Sequence, residues 1–277
     1  MKASEECYSC LKRLAIQASS LATENLELRR LIEEQCLKLL NRKFSLNIVP
    51  AEIANEMHRI TRRLSGNKDP YKKFKAREIE ISRRVFEAIR NRASHSLRSC
   101  IELAVLGNAS DFFRDLKDVE LESKVIFAID DIAIAEEKLL RAKKILYLAD
   151  NAGEVFFDIP LLNKLREYGE VIYAVKQSAV QNDLTIEDLR EIDLAIDIER
   201  VITTGTDTVG IDLSIASEEF KAEFKSADLI FAKGMGNYET LSELPKEGRF
   251  LFILIAKCLP VARSINVPLN SYIAMIW

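Results

Sequence analysis

The residues Asp150-Asn151-Ala152-Gly153-Glu154 close an apolar run that begins at Ile145. Two oxygen-bearing side chains, a glycine and an acid are more than a turn requires. Helix capping accounts for one of them. Polar groups of the same kind follow further apolar runs. They are Lys176 to Asp183, the loop Gly205-Thr206-Asp207-Thr208-Val209-Gly210, the segment Lys233-Gly234-Met235-Gly236-Asn237-Tyr238-Glu239, and Lys257-Cys258. Each alone has a plain reading. Asp183 would cap a helix starting near Thr185, and a GxG is commonly a turn. Taken together they set Asp150, Asn151, Asp183, a glycine-rich anion nest and Lys257 along one edge. Hard oxygen donors suit Mg²⁺, Mn²⁺ and similar ions. A nest with a lysine suits a phosphate. Metal and phosphate in one cleft mean phosphoryl chemistry, in which positioning and charge neutralisation do most of the work.

Two common nucleotide sites are excluded. There is no GxxxxGK[ST], so the chain is not an ordinary P-loop protein. A dinucleotide fingerprint needs GxGxxG after the first strand, where this chain has DNAGE.

The elements that must position these residues change character along the chain. Residues 6–105 carry apolar side chains at helical spacing, as in Leu11, Leu14, Ala15 and Ala18 or Ile53, Met57, Ile60 and Leu64. Pro50 suits a first helical turn. After Gly107 short apolar runs at 144–148, 171–175, 201–203, 228–232 and 250–255 alternate with helical stretches at 154–168, 186–192, 217–226 and 238–243. Continuous apolar strands between helices predict an α/β fold with a mostly parallel, doubly wound sheet covered on both faces. The expected organisation is an all-α domain over 1–106, a bridge over 107–130 and an α/β metal- and phosphate-binding domain over 131–277.

Of 277 residues, 48% are apolar and 30% charged, with a net charge of -3. No basic surplus is available for a nucleic-acid polymer. No apolar run reaches the length of a membrane span, and the N-terminus lacks the pattern of a signal peptide. A cytoplasmic protein is expected, with its 5 cysteines as free thiols. His58 and His95 read as surface or pairing residues. Cys7 and Cys10 read as inward-packing thiols, or as part of a second metal or substrate site. Asn108 and Asp111 read as turn and capping residues, or as groups that reach the cleft.

In order along the chain, Cys7-x-x-Cys10, Gly107-Asn108-x-x-Asp111-Phe112, Asp150-Asn151-Ala152-Gly153-Glu154, Asn182-Asp183, Gly205-Thr206-Asp207-Thr208, Lys233-Gly234-x-Gly236-Asn237-Tyr238-Glu239 and Lys257-Cys258 resemble the domain of unknown function 89 family. These are metal-dependent damage-control phosphatases that include acidic-residue carboxyl-methyltransferase-like proteins. The resemblance spans nearly the whole chain and is to the CxxC-bearing branch of archaea and bacteria. It implies that Asp150, Asn151 and Asp183 hold one divalent ion, Mn²⁺, Ni²⁺, Co²⁺ or Mg²⁺. It implies that Met235, Gly236, Asn237, Tyr238 and Glu239 line the substrate phosphate through backbone amides and the Asn237 side chain. Gly153, Glu154, Asn108 and Asp111 fall on the substrate side, and Lys257 would neutralise a phosphate oxygen. The implied reaction is hydrolysis of small phosphomonoesters: damaged or surplus sugar phosphates, phosphopantetheine derivatives, nucleotides or their precursors. Met235 departs from relatives with polar or acidic residues there, which puts substrate choice at that spot in doubt. The alternatives are an S-adenosylmethionine-dependent protein carboxyl methyltransferase and a non-enzymatic metal-dependent binding protein.

Overall fold

The computed structural model of the protein describes residues 1–90, 96–109, 125–192 and 200–277. Helices α1 (Glu5–Ala22), α2 (Leu26–Lys43) and α3 (Pro50–Ser65) pack as a layer with their own core of Leu11, Ile32, Leu40, Ile53 and Met57. Asn25 caps α2 by accepting from the Glu27 and Leu28 amides, Pro50 opens α3, and Gly66 at φ 69° ends it. Helices α4 (Lys72–Ile89) and α5 (Leu97–Gly107) follow. The boundary expected near residue 106 falls at the end of α5. The buried face of α5, with Ile101, Ala104 and Val105, belongs to the core under the sheet. His58 is not at the surface as expected. It is buried on α3 against Tyr71, with ring centroids 5.7 Å apart.

The rest of the described chain runs β1 (Phe127–Asp130), α6 (Ile132–Leu139), β2 (Lys144–Leu148), α7 (Val155–Leu165), β3 (Glu170–Val175), α8 (Ile186–Glu191), β4 (Val201–Thr203), α9 (Glu218–Ser226), β5 (Leu229–Lys233), α10 (Gly234–Leu241), β6 (Phe250–Ile255), α11 (Leu259–Ile265) and β7 (Tyr272–Ile276). The strands form one sheet in the order β1-β7-β6-β5-β2-β3-β4. From β6 to β4 all pairs are parallel, β7 runs antiparallel to β6, and β1 is parallel to β7. The sheet is therefore mixed at one end. The expected bridge contains strand β1, and β7 adds a strand beyond the last one expected.

Alternate residues of each central strand feed opposite faces. Tyr147, Tyr173, Phe231 and Ile253 enter the core with α5, α6 and α7. Leu146, Ile172, Ile230 and Phe252 enter the core with α9, α10 and α11. Burial on both faces explains why the strands read as unbroken apolar runs. The connection after β2 goes to β3 on one side, and the connection after β4 crosses back to β5 on the other. The carboxyl end of β2 is thus the switch point, where open α/β sheets place their ligands. No described helix is long and apolar enough to cross a membrane.

Candidate active site at the switch point

Asp150 and Asn151 leave the tip of β2, and Asn182 and Asp183 lie beside them in the loop after β3. The Leu184 amide donates to the Asp150 carbonyl at 2.8 Å, and the Ala152 amide donates to the Asn182 carbonyl at 2.8 Å. Asn151 and Asp183 pair as an isolated antiparallel bridge. The two tips are stitched together by backbone, which brings Asp150, Asn151 and Asp183 to one place. Neither acid is spent as a cap. Asn151 opens a 3₁₀ turn, Ala152–Glu154, without a capping bond. Thr185, not Asp183, caps α8.

A hydrogen-bonded core lies beneath the tips. Glu154 is fully buried and accepts from Asn108 Nδ2 at 2.8 Å, Asn151 Nδ2 at 2.7 Å and Lys233 Nζ at 2.7 Å. Lys233 Nζ also donates to Asp158 Oδ1 at 2.7 Å, which the Tyr147 hydroxyl reaches at 2.7 Å. Tyr173 donates to the other Asp158 oxygen at 3.3 Å. Asn108 donates to Asp150 Oδ2 at 3.0 Å and accepts from the Ile255 amide at 3.1 Å. Asn108 therefore reaches the tip cluster from the end of α5, rather than serving only as a turn residue. Asp111 lies outside the described residues.

Glycines let the parts touch. At Gly234, φ is 74°, and a Cβ there would lie 1.8 Å from Asp150 Oδ2. The Asp150 carboxyl thus rests against the first residue of α10, where free N–H groups favour an anion. At Gly153 a Cβ would lie 2.5 Å from Ser82 Oγ and 3.0 Å from Glu78 Cγ, so α4 presses directly on the DNAGE turn.

Burial and crowding set the charges. Burial, together with the Glu154 and Asp183 carboxylates, pushes the Asp150 acid well above its usual range, against the pull of Lys233 and Lys176. Burial raises Asp183 to about 6, opposed by Lys176, whose Nζ lies 3.6 Å away. Burial lowers Lys176 despite the charges of Asp183 and Asp150. Lys233 stays charged: burial opposes this, but Asp158 and Glu154 outweigh it and raise the group. Burial brings Lys257 to about 7, opposed by the charge of Glu78. Burial takes Glu78 to about 8, opposed by the hydrogen bond from Asn182.

The phosphate segment differs in detail from expectation. Helix α10 begins at Gly234, not at residue 238, so Met235, Gly236 and Asn237 form its first turn and their amides are the free ones. The Asn237 side chain does not offer its N–H groups to a ligand. Both are committed, to the Ala149 carbonyl at 3.2 Å and the Lys233 carbonyl at 2.8 Å. Tyr238 packs edge-on against Phe252 and Trp277, with its hydroxyl 2.9 Å from Ser264. Met235 is half-buried beside the same core. Glu239 belongs to the contact with the N-terminus, where burial raises its carboxyl to about 7, opposed by the Met1 ammonium and the Ala51 amide. Cys7 is buried in the first turn of α1, accepting from the Ser4 amide at 3.4 Å, and Cys10 is half-buried.

Sequence reading left Lys233, Lys176, Asp158, Glu78 and Ser82 without a role. One signal was available for Asp158: a lone acid inside Val155-Phe156-Phe157-Asp158-Ile159 demands a buried partner. Nothing local marks Glu78 or Ser82 within a charged helix. Among the described residues no group of three or more His, Cys, Asp or Glu side chains forms a metal cage. The oxygen-bearing side chains at the tips are two carboxylates and the Asn151 amide, whose N–H groups are spent on Asp150 and Glu154, leaving its carbonyl oxygen.

A mixed α/β sheet has a helical layer over its switch point, where an acid-rich tip cluster lies beside a glycine-led helix N-terminus. The chain belongs to the damage-control phosphatase ARMT1-like domain family, whose model matches residues 3–273. It is similar to the damage-control phosphatase PH1575 of Pyrococcus horikoshii, at 35% identity over 99% of this chain and 98% of the relative. It is similar to a damage-control phosphatase of Archaeoglobus fulgidus, at 31% identity over 100% of this chain and 99% of the relative. The crystal structure of the Pyrococcus horikoshii protein, described as a DUF89 family protein, superposes with a TM-score of 0.89 and covers 100% of this chain and 99% of that one.

Proposed function

We propose that the protein is a divalent-metal-dependent phosphoric monoester hydrolase that acts on small phosphorylated metabolites: damaged or surplus nucleotides, their precursors, or sugar phosphates. The observation that carries the reading is the joint between Asp150 and Asp183. Backbone bonds hold the two tips together, and their carboxyls are raised by burial and by one another's charge or that of Glu154. Buried like charges are costly unless a cation joins them. Two carboxylates and an amide oxygen fit Mn²⁺, Ni²⁺, Co²⁺ or Mg²⁺. When bound, such an ion supplies charge neutralisation at the phosphoryl group and a more acidic water.

The protein's own groups supply the rest. The first amides of α10, at Met235, Gly236 and Asn237, face developing negative charge without reorganisation. Lys257, whose ammonium is lowered by burial to about 7, is pushed back toward its charged form by an incoming phosphate. Glu154, Asn108 and Lys233 hold Asp150 and the DNAGE turn in place. The methyltransferase alternative is not favoured: the Pyrococcus horikoshii and Archaeoglobus fulgidus relatives carry phosphatase names, and the β2 tip has no glycine-rich cofactor loop.

The test is phosphate release from p-nitrophenyl phosphate and a panel of sugar phosphates and nucleotides. Protein stripped with chelator is assayed before and after re-addition of each ion, with and without S-adenosylmethionine. Turnover that appears only with metal is expected. Undiminished turnover in the stripped protein, or methyl transfer without phosphate release, would defeat the reading.

A further inference from the structure

Helix α4 lies outside the sheet yet grips the joint between the two tips. Glu78 Oε2 accepts from Asn182 Nδ2 at 3.1 Å. The carbonyl of the same Asn182 accepts from the Ala152 amide, the rung that ties the loop after β3 to the DNAGE turn. The next residue is Asp183, bridged to Asn151. One turn earlier on α4, Lys75 holds Asp188 at 2.9 and 2.8 Å, and Asp188 in turn holds the Thr185 amide and hydroxyl. The helix thus clamps the loop carrying Asp183 on both sides.

The two clamps differ in kind. Lys75 is answered by Asp69 as well as Asp188, a sound structural tie. Glu78 is a poor one. Its Oε1 is buried without a hydrogen-bond partner among the described residues, and so is the Ser82 Oγ beside it. A buried carboxyl with half its acceptor capacity unmet costs stability, so anchoring alone does not account for it. Groups behind the ligands orient them and tune affinity for the ion, and Glu78 stands behind Asn182, the neighbour of Asp183.

We infer that Glu78 is a positioning residue: through Asn182 it fixes the joint at which Asp150, Asn151 and Asp183 meet, and so sets the affinity of that site for a divalent cation. The inference rests on the metal reading above. Mn²⁺ binding measured by calorimetry on the full chain, without substrate, tests it. Glu78→Met keeps the length and removes the acceptor. Its Mn²⁺ affinity is expected to fall by about tenfold or more at a temperature where circular dichroism shows it folded. Glu78→Gln keeps an acceptor for Asn182 and is expected to retain parental affinity. Asn182→Ala should weaken binding as Glu78→Met does, and the double variant should be no worse than either single one.

The outcomes separate cleanly. If the parent binds no Mn²⁺, the metal reading itself falls. If the parent binds and Glu78→Met binds equally, only the role of Glu78 is overturned. Equal losses in the Gln and Met variants would also overturn it, because the hydrogen bond accepted from Asn182 would then not be what matters. A Met variant that melts earlier yet binds normally would mark Glu78 as merely structural.

Discussion

Where the helical layer meets the polar loops, charge is matched. Lys75 lies between Asp69 and Asp188, and Asp207 lies between Arg59 and Arg62. The excess of acid in the first group answers the excess of base in the second. At the sheet tips the sum does not close. Asp150, Asp183, Glu154 and Asp158 crowd around Lys176 and Lys233, so acids outnumber the lysines they face. A region that only has to hold together pairs its charges. A region with a surplus bears a desolvation cost, and the proposed function sets a cation against that cost.

The largest test of that contrast is at Lys233, whose ammonium holds both Glu154 and Asp158. Lys233→Met leaves Glu154 and Asp158 buried without their counter-charge. Breaking a pair of this kind costs about 3–5 kcal/mol. Urea unfolding of parent and variant measures it. A loss under 1 kcal/mol would mean that the carboxyls simply take up protons and that the tip holds no real tension.

Next is Gly234, where the contrast turns on space. Its φ of 74° and the closeness of Asp150 leave no room for a Cβ. Gly234→Ala carries about 1–2 kcal/mol of backbone strain and must displace the Asp150 carboxyl. Metal-dependent phosphate release is expected to fall to background while the protein remains folded by circular dichroism. Turnover at the parental rate would show that Asp150 need not sit at the α10 N-terminus.

Both variants probe features the sequence disclosed unequally. The parallel strands were legible because burial on both faces writes them as solid apolar runs, and the tips were legible because polar residues break those runs abruptly. Strand β7 was not, although Tyr272-Ile273-Ala274-Met275-Ile276 is apolar. It runs against its neighbour β6, and the alternating β–α pattern gives no warning of an antiparallel strand. At the site, Asp150, Asn151 and Asp183 could be named because each follows a strand. Glu78 could not, because its partner is 104 positions away, and a helix full of Glu, Lys and Arg hides a buried acid among exposed ones. Asn237 misled for a related reason: an amide in a glycine-rich turn looks free to bind, and only the fold shows that two carbonyls have claimed its N–H groups.

The smallest effect belongs to the matched region. Asp207 accepts from Arg59 Nη2 at 2.7 Å and from Arg62, while Arg62 also holds the Ala179 carbonyl at 2.8 Å. Burial alone would raise the Asp207 carboxyl, but the hydrogen bond from Arg59 and the charges of both arginines bring it below its usual value. A group depressed on folding adds stability above its unfolded value of about 3.9. That contribution fades as the pH falls through the lower folded value. Asp207→Asn should therefore cost about 1–2 kcal/mol at pH 7, and the gap to the parent should stay constant down to about pH 4 and close below it. Because the charges here are already paired, added Mn²⁺ should leave that gap unchanged. A gap that widened or narrowed with metal would tie Asp207 to the tip cluster and dissolve the distinction between the two regions.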